Sequence, residues 1–288
     1  MPTSKHGIEA TMDYLVPYID RHFEAQSSNT TKRPFIFGLT GLQGSGKSTW
    51  TDAFVKRLND KHNYHTINLS LDDLYLDHDD LVNLRLPIHT TNFGSEVLIP
   101  SFDKSKFNGE GGRAPKETWQ RVPAGTQIDV VIFEGWCVGF KPLDEAAIRQ
   151  KWEEGLRQEA IAGYPTKTLK EHALQHLLGV NEKLRQYCDQ FMGPQHLDFV
   201  FHLDTLSLVN VYEWRMQQEH ALLERTGESM TDEEVVRFVR GYMPAYELYL
   251  DQMWDQLQQG FFDEKSKGRV RVFLDLDRDI QDFLVYVS

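Results

Sequence analysis

The sequence predicts an α/β fold of three layers, with a mostly parallel sheet covered by helices on both faces, on the strength of three observations. Short apolar runs without polar alternation recur along the chain, as strands buried on both faces require. Stretches with helical periodicity lie between them, the pattern of parallel β-α units. A glycine-rich turn joins the first run to the first of these helical stretches.

In chain order, Ile8, Met12, Leu15, Ile19 and Phe23 recur at three- and four-residue steps. That spacing predicts an amphipathic helix over about the first 24 residues, with Pro17 kinking it or splitting it in two. The polar stretch from Gln26 to Pro34 reads as a loop. Residues 1–33 are therefore expected to be a helical extension and linker packed on a single domain spanning 34–288. The first strand is Phe35-Ile36-Phe37-Gly38-Leu39, and similar runs follow at 66–71, 129–133, 199–203 and 270–274. Helical patterns are read at 48–58, 169–191, 206–223 and 232–257. Residues 84–126, rich in Gly, Pro and polar residues, read as mostly irregular, a length of loop that is usually functional. Residues 263–268 read as a surface turn.

Composition bounds the function. The 288 residues are 40% hydrophobic, enough to bury a core without staples. The formal net charge is −12, which argues against a broad polyanion-binding face and so against nucleic acid as a partner. A local positive pocket for phosphate remains compatible with it. Two cysteines, Cys137 and Cys188, make no disulfide framework and no metal-ligand cluster. No apolar run approaches the roughly 20 residues that cross a bilayer, and no signal-peptide pattern opens the chain. The expectation is a monomer with no membrane partner in the cytoplasm, the nucleus also being compatible.

Residues 41–48 read Gly41-Leu42-Gln43-Gly44-Ser45-Gly46-Lys47-Ser48, the complete G-x-x-x-x-G-K-[ST] pattern of a P-loop. The glycines let backbone N–H groups converge on phosphate oxygens, where side chains would obstruct them. Lys47 supplies a point charge to the β- and γ-phosphates of ATP, and Ser48 offers a hydroxyl to Mg²⁺. The helix that begins here, with Thr49 next along it, adds its positive N-terminal end. The fold class is thus a P-loop NTPase.

Two further strands end in acids. The second closes on Ser70-Leu71-Asp72-Asp73-Leu74-Tyr75. Carboxyl ends of strands face the ligand crevice in such sheets, so Asp72 is placed to accept a proton from an acceptor hydroxyl. Capping of the next segment is the structural alternative for both aspartates. The third, Val130-Val131-Ile132-Phe133-Glu134-Gly135, has Glu134 where a Walker-B acid would stand to hold Mg²⁺ or its water shell. Gly135 would admit a ligand or another backbone at close range.

These motifs, together with Ile99-Pro100-Ser101-Phe102-Asp103-Lys104-Ser105, Glu213-Trp214-Arg215-Met216-Gln217-Gln218-Glu219 and Tyr242-Met243-Pro244-Ala245-Tyr246, resemble the D-glycerate 3-kinase-like family. That family is related to phosphoribulokinase, uridine kinase and bacterial pantothenate kinase, and the resemblance runs from about Phe35 to Leu276. It implies that Asp72 is the catalytic base and that Asp73, Tyr75, Asp103 and Lys104 lie on the substrate side. It implies Arg113 as a substrate-side cation and Arg215, with Arg225 as a second candidate, in a lid over the ATP phosphates. One departure is that Gly112 stands where the family pattern has an Asp before the Arg. Read from the residues alone, Lys104 and Arg113 are equally compatible with solvated loop charges, and Arg215 with a pair to Glu219 one turn on. Trp214, Tyr242 and Tyr246 read as core aromatics.

The expected function is transfer of the γ-phosphoryl group of ATP, with Mg²⁺, to a hydroxyl of a small metabolite, D-glycerate or a related compound. The alternative is an ATP-binding protein or ATPase of regulatory role. No Asn-Lys-x-Asp guanine reader and no Leu-Ser-Gly-Gly-Gln signature is present, which argues against a GTPase switch and a transporter ATPase.

Overall fold

The computed structural model describes residues 11–28, 32–74, 96–103, 112–158, 163–253, 261–262 and 267–286. Its centre is β1 (Phe35–Gly41), in which all seven residues are buried, as the unalternating run predicts. The other strands of the main sheet are β2 (Thr66–Ser70), β7 (Val130–Gly135), β8 (Phe199–Asp204), β9 (Gly268–Leu274) and β10 (Ile280–Tyr286). Their order is β10-β9-β8-β1-β7-β2, parallel except for the hairpin β9–β10.

Strand alternation sorts the aromatic residues into two faces. Phe37 of β1 is in register with Phe199 of β8, and Leu39 with Phe201. These rings meet helix α1 (Val16–Ala25), where Tyr18 stands edge-on to Phe199 at 4.9 Å, and helix α2 (Lys47–His62), where Phe54 meets Phe37 at 4.8 Å and Trp50 meets Phe201 at 5.3 Å. Phe133 of β7 pairs with Gly38 and so points to the opposite face. There it meets Phe191, in a wide helical turn (Cys188–Met192) that continues α4 (Leu174–Tyr187). Burying a Phe is worth roughly 1.5–3 kcal/mol, so a few such rings on each face rival the whole net stability of a domain. Helices α3 (Glu145–Leu156), α5 (Val209–Thr226), α6 (Asp232–Arg240) and α7 (Met243–Tyr249) complete the layers.

At Pro17 the second of the two expected outcomes holds, the pattern being split in two: Pro17 occupies the first turn of α1, where its missing N–H costs nothing. Thr11 and Met12 are helical before the turn at 13–15. Several expectations change. The pattern read as one helix over 232–257 is divided: α6 ends at Gly241 and α7 restarts with Pro244 in its first turn. A capping box starts α6, Thr231 Oγ1 accepting from Glu234 N while Glu234 accepts from Thr231 N. Helix α3 was not foreseen; among its residues Ile148 and Gly155 alone are buried. Within 84–126, of which 84–95 and 104–111 lie outside the described residues, two small antiparallel ribbons stand out from otherwise mostly irregular chain, β3 (Val97–Ile99) with β6 (Gln120–Val122) and β4 (Phe102–Asp103) with β5 (Gly112–Arg113). Gly268 opens β9, buried against Tyr18 and Phe199, and does not end a surface turn. Tyr14 and Phe283 lie 5.5 Å apart, so the described ends of the chain are neighbours. No helix of the described residues is long and apolar enough to cross a membrane.

Candidate active site

The P-loop turns from the end of β1 into α2. Gly44 and Gly46 hold φ angles of 79° and 89°, in the region that glycine alone enters freely. Space forbids a side chain as well: a Cβ on Gly44 would lie 2.5 Å from Trp214 Cβ, and one on Gly41 would lie 2.7 Å from Ser45 Oγ. Leu42 is buried in the core and closes the turn, its carbonyl accepting from Ser45 N at 3.2 Å. Lys47 directs its ammonium to the carbonyls of Gly41 (3.0 Å) and Leu42 (3.3 Å), across the mouth of the loop. Ser48 and Thr49 are exposed on the first turn of α2. The hydroxyls of Thr40 and Ser45 and the side-chain carbonyl of Gln43 are buried with no hydrogen-bond partner. Buried polar atoms of this kind are normally satisfied. The two hydroxyls can donate to a ligand such as a polyphosphate, whereas the Gln43 carbonyl, an acceptor, needs a donor.

The strand-end acids converge on this loop. Sheet register aligns Leu39 of β1, Glu134 of β7 and Ser70 of β2. Glu134 is buried, and its carboxylate accepts a hydrogen bond from the Ser70 hydroxyl. Asp72 follows in a short 3-10 turn (Asp72–Leu74), half-buried, its N–H donating to Ser70 Oγ at 3.3 Å. What approaches Gly135 is Leu71, whose side chain a Cβ there would meet at 2.7 Å. Ligand-side crowding is not needed to explain that glycine.

Behind the acids stands an aromatic wall. Trp136 meets Tyr242 edge-on at 4.9 Å and Tyr246 at 6.3 Å. Tyr246 is fully buried, and its hydroxyl accepts from Gln43 N at 3.3 Å. Burial pushes the Tyr242 phenol up, Asp72 pushing the same way and Arg215 opposing, so both charges bear on this ring. The Cys137 thiol is raised by burial, with Asp72 adding and Lys47 opposing. Asp72, Lys47, Arg215, Tyr242 and Cys137 thus share one neighbourhood. Beneath the loop on β8, burial pulls His202 down to about 4 against the raising effect of Asp204, with Arg271 and Lys47 adding to the fall.

The remaining candidates divide. The Asp73 carboxylate accepts from Phe102 N at 2.8 Å, which ties β4 to the end of β2. Asp103 lies in β4, paired with Gly112 of β5, and Arg113 stacks its guanidinium over Trp119 at 5.1 Å. Tyr75 and Lys104 lie outside the described residues. Arg215 on α5 turns to its own helix, bonding Glu219 and, at 2.8 Å, Gln218 Oε1, and lies over the Phe238 ring at 5.1 Å. The pairing with Glu219 is therefore formed, while Arg215 Nε is buried without a partner.

Three contributors escaped sequence reasoning: Ser70 on Glu134, Tyr246 on Gln43, and Arg278, whose Nε donates to Gly44 O at 2.6 Å. Ser70 alone left a signal, a hydroxyl closing the strand before Asp72. Among the described residues no group of three or more His, Cys, Asp or Glu forms a resident metal cluster. The donors fit a cation shared with phosphate, one hydroxyl (Ser48) and one carboxylate (Glu134), better than a protein-only cage.

No protein-family model matches the chain. It is 36% identical over 270 residues to a protein named uncharacterized kinase mug58 from Schizosaccharomyces pombe, covering 85% of this chain and 89% of that protein. It is 30% identical over 278 residues to the probable ATP-dependent kinase TDA10 of Saccharomyces cerevisiae, covering 84% and 87%. Among solved structures it resembles a D-glycerate 3-kinase from Cryptococcus neoformans, with a TM-score of 0.77, 28% identity and coverage of 96% and 98%.

Proposed function

Since the chain belongs to the D-glycerate 3-kinase-like family of P-loop kinases, we propose that it transfers the γ-phosphoryl group of ATP to a hydroxyl of a small hydroxy acid such as D-glycerate. One observation carries this reading beyond ATP use: the register that sets Glu134 beside β1 and Ser70 beside Glu134 puts Asp72 at the same carboxyl end of the sheet as the P-loop. A kinase needs a base there, whereas an ATPase acting on water does not.

In the proposed reaction the acceptor oxygen bonds to the γ-phosphorus as the bond from that phosphorus to the β-γ bridging oxygen breaks. ADP leaves with the bond's electrons, and Asp72 takes the hydroxyl proton. The backbone amides of Gly44–Ser48 and the Lys47 ammonium hold the β- and γ-phosphates. Ser48 and Glu134 would hold Mg²⁺, which when bound neutralises charge on the phosphate oxygens. Arg215, on releasing Glu219, would add a cation over the phosphates. Asp73, Asp103 and Arg113, with Tyr75 and Lys104 by the family resemblance, would form the acceptor side, the cations serving the hydroxy acid's carboxylate.

The test is transfer from labelled ATP across a panel of hydroxylated acids, nucleosides and pantothenate. Acceptor-dependent label in a hydroxy acid is the expected result. Hydrolysis alone, indifferent to every acceptor, would favour a regulatory ATPase.

A further inference from the structure

Arg278 lies in the turn between β9 and β10 with φ at 66°. Among the described residues one other non-glycine residue has positive φ, Asn63, which ends α2 as a C-cap, a place where Asn is at home. A long side chain in the left-handed region is strained, and such strain persists only where surroundings impose it. Here the surroundings are three hydrogen bonds, one from each guanidinium nitrogen. Nε donates to Gly44 O at 2.6 Å, Nη1 to Gln217 Oε1 at 2.6 Å and Nη2 to Trp214 O at 3.1 Å. Trp214 returns its own Nε1 proton to the carbonyls of Asp275 and Leu276 in the same turn, and its Cβ backs Gly44.

We propose that Arg278 is a positioning residue of the nucleotide site. It fixes the Gly44–Ser45 peptide from behind and ties it to α5, the helix that carries Arg215. A charged donor on the Gly44 carbonyl also polarises the Ser45 N–H on the far end of the same peptide, a group that faces phosphate in the reading above. The inference rests on that reading, since it assumes that the loop holds ATP.

Arg278→Gly separates this role from a structural one. Glycine accepts the backbone conformation without strain, so relief of strain offsets the lost bonds. The melting temperature should stay within about 3 °C of wild type. ATP titrated calorimetrically in the presence of Mg²⁺ should bind about tenfold more weakly, the size of one charge-assisted hydrogen bond. Arg278→Asn, also tolerated in this conformation, should show the same split. Lys47→Ala serves as the reference for loss of the phosphate site. If wild type binds ATP, Lys47→Ala does not and Arg278→Gly binds like wild type, the inference fails and the kinase reading stands. If both Arg278 variants melt more than 10 °C below wild type and lose ATP only in proportion, Arg278 is merely structural and the inference is overturned. If wild type itself binds no ATP, reading and inference fall together.

Discussion

Residues 41–48 are braced by groups far along the chain, with Tyr246 on Gln43, Arg278 on Gly44 and Trp214 packed behind, all resting on buried strands. The ribbons β3–β6 and β4–β5, proposed above to face the acceptor, are different. Most of their described bonds are internal, such as Ala114 N to Ser101 O and Trp119 Nε1 to Ala114 O. They meet the domain through buried Ile99 and Val122 and the bond from Phe102 N to Asp73. In the proposed reading the nucleotide is met by a prebuilt cradle and the acceptor by short ribbons whose changes would leave the core untouched. Substrate range in this fold should therefore drift on the ribbon side first.

Three experiments press on that contrast. The largest effect is expected at Asp72, on the boundary between the two sides. Asp72→Asn should lower phosphoryl transfer by roughly 100-fold or more while calorimetric ATP affinity stays within a few-fold of wild type. If ATP binding were lost too, Asp72 would belong to the nucleotide side and the base assignment would be wrong.

Asp73 tests the tie itself. Asp73→Ala removes the acceptor for Phe102 N–H and should raise the KM for the hydroxy acid about tenfold, with the KM for ATP unchanged. Asp73→Asn keeps an acceptor oxygen and should restore most of the difference. Equal damage from both substitutions would mean that the charge of Asp73 contacts the substrate directly.

The smallest effect concerns the support under the P-loop. His202 is buried and held neutral, its folded value near 4 against 6.5 for an ordinary histidine. As pH falls below about 6.5 the unfolded chain takes up a proton that the folded chain refuses, so stability declines as pH approaches 4. One such group costs up to about 1.4 kcal/mol per pH unit, or roughly 2–5 °C in melting temperature for a chain of this size. His202→Gln should flatten the decline measured by calorimetry between pH 6.5 and 5. An unchanged slope would show that other groups govern it.

The P-loop was legible because its glycines and lysine are fixed by local backbone geometry, and Glu134 and Asp72 because a buried strand announces its own end. The braces were not. Tyr246 and Arg278 act on residues more than 200 positions earlier, a separation that no local pattern registers. Periodicity also joined α6 to α7, because the apolar spacing continues through Gly241 and Tyr242, as do the right-handed helical dihedrals. What breaks is the hydrogen-bond ladder, Tyr242 N turning to Val239 O and Pro244 having no N–H to give. In the ribbons, strands of two and three residues are too short for alternation to register.

The neighbouring chain ends have a consequence for synthesis. Tyr14 packs on Phe283, and the brace on Gly44 comes from residue 278. In synthesis Gly44 is made 234 residues before the Arg278 that braces it. Contacts of such wide sequence separation close late, after the entropy of a very long loop has been given up. The loop at 41–48 thus stays without its Arg278 brace until the β9–β10 turn has been made, which puts completion of that brace late in folding.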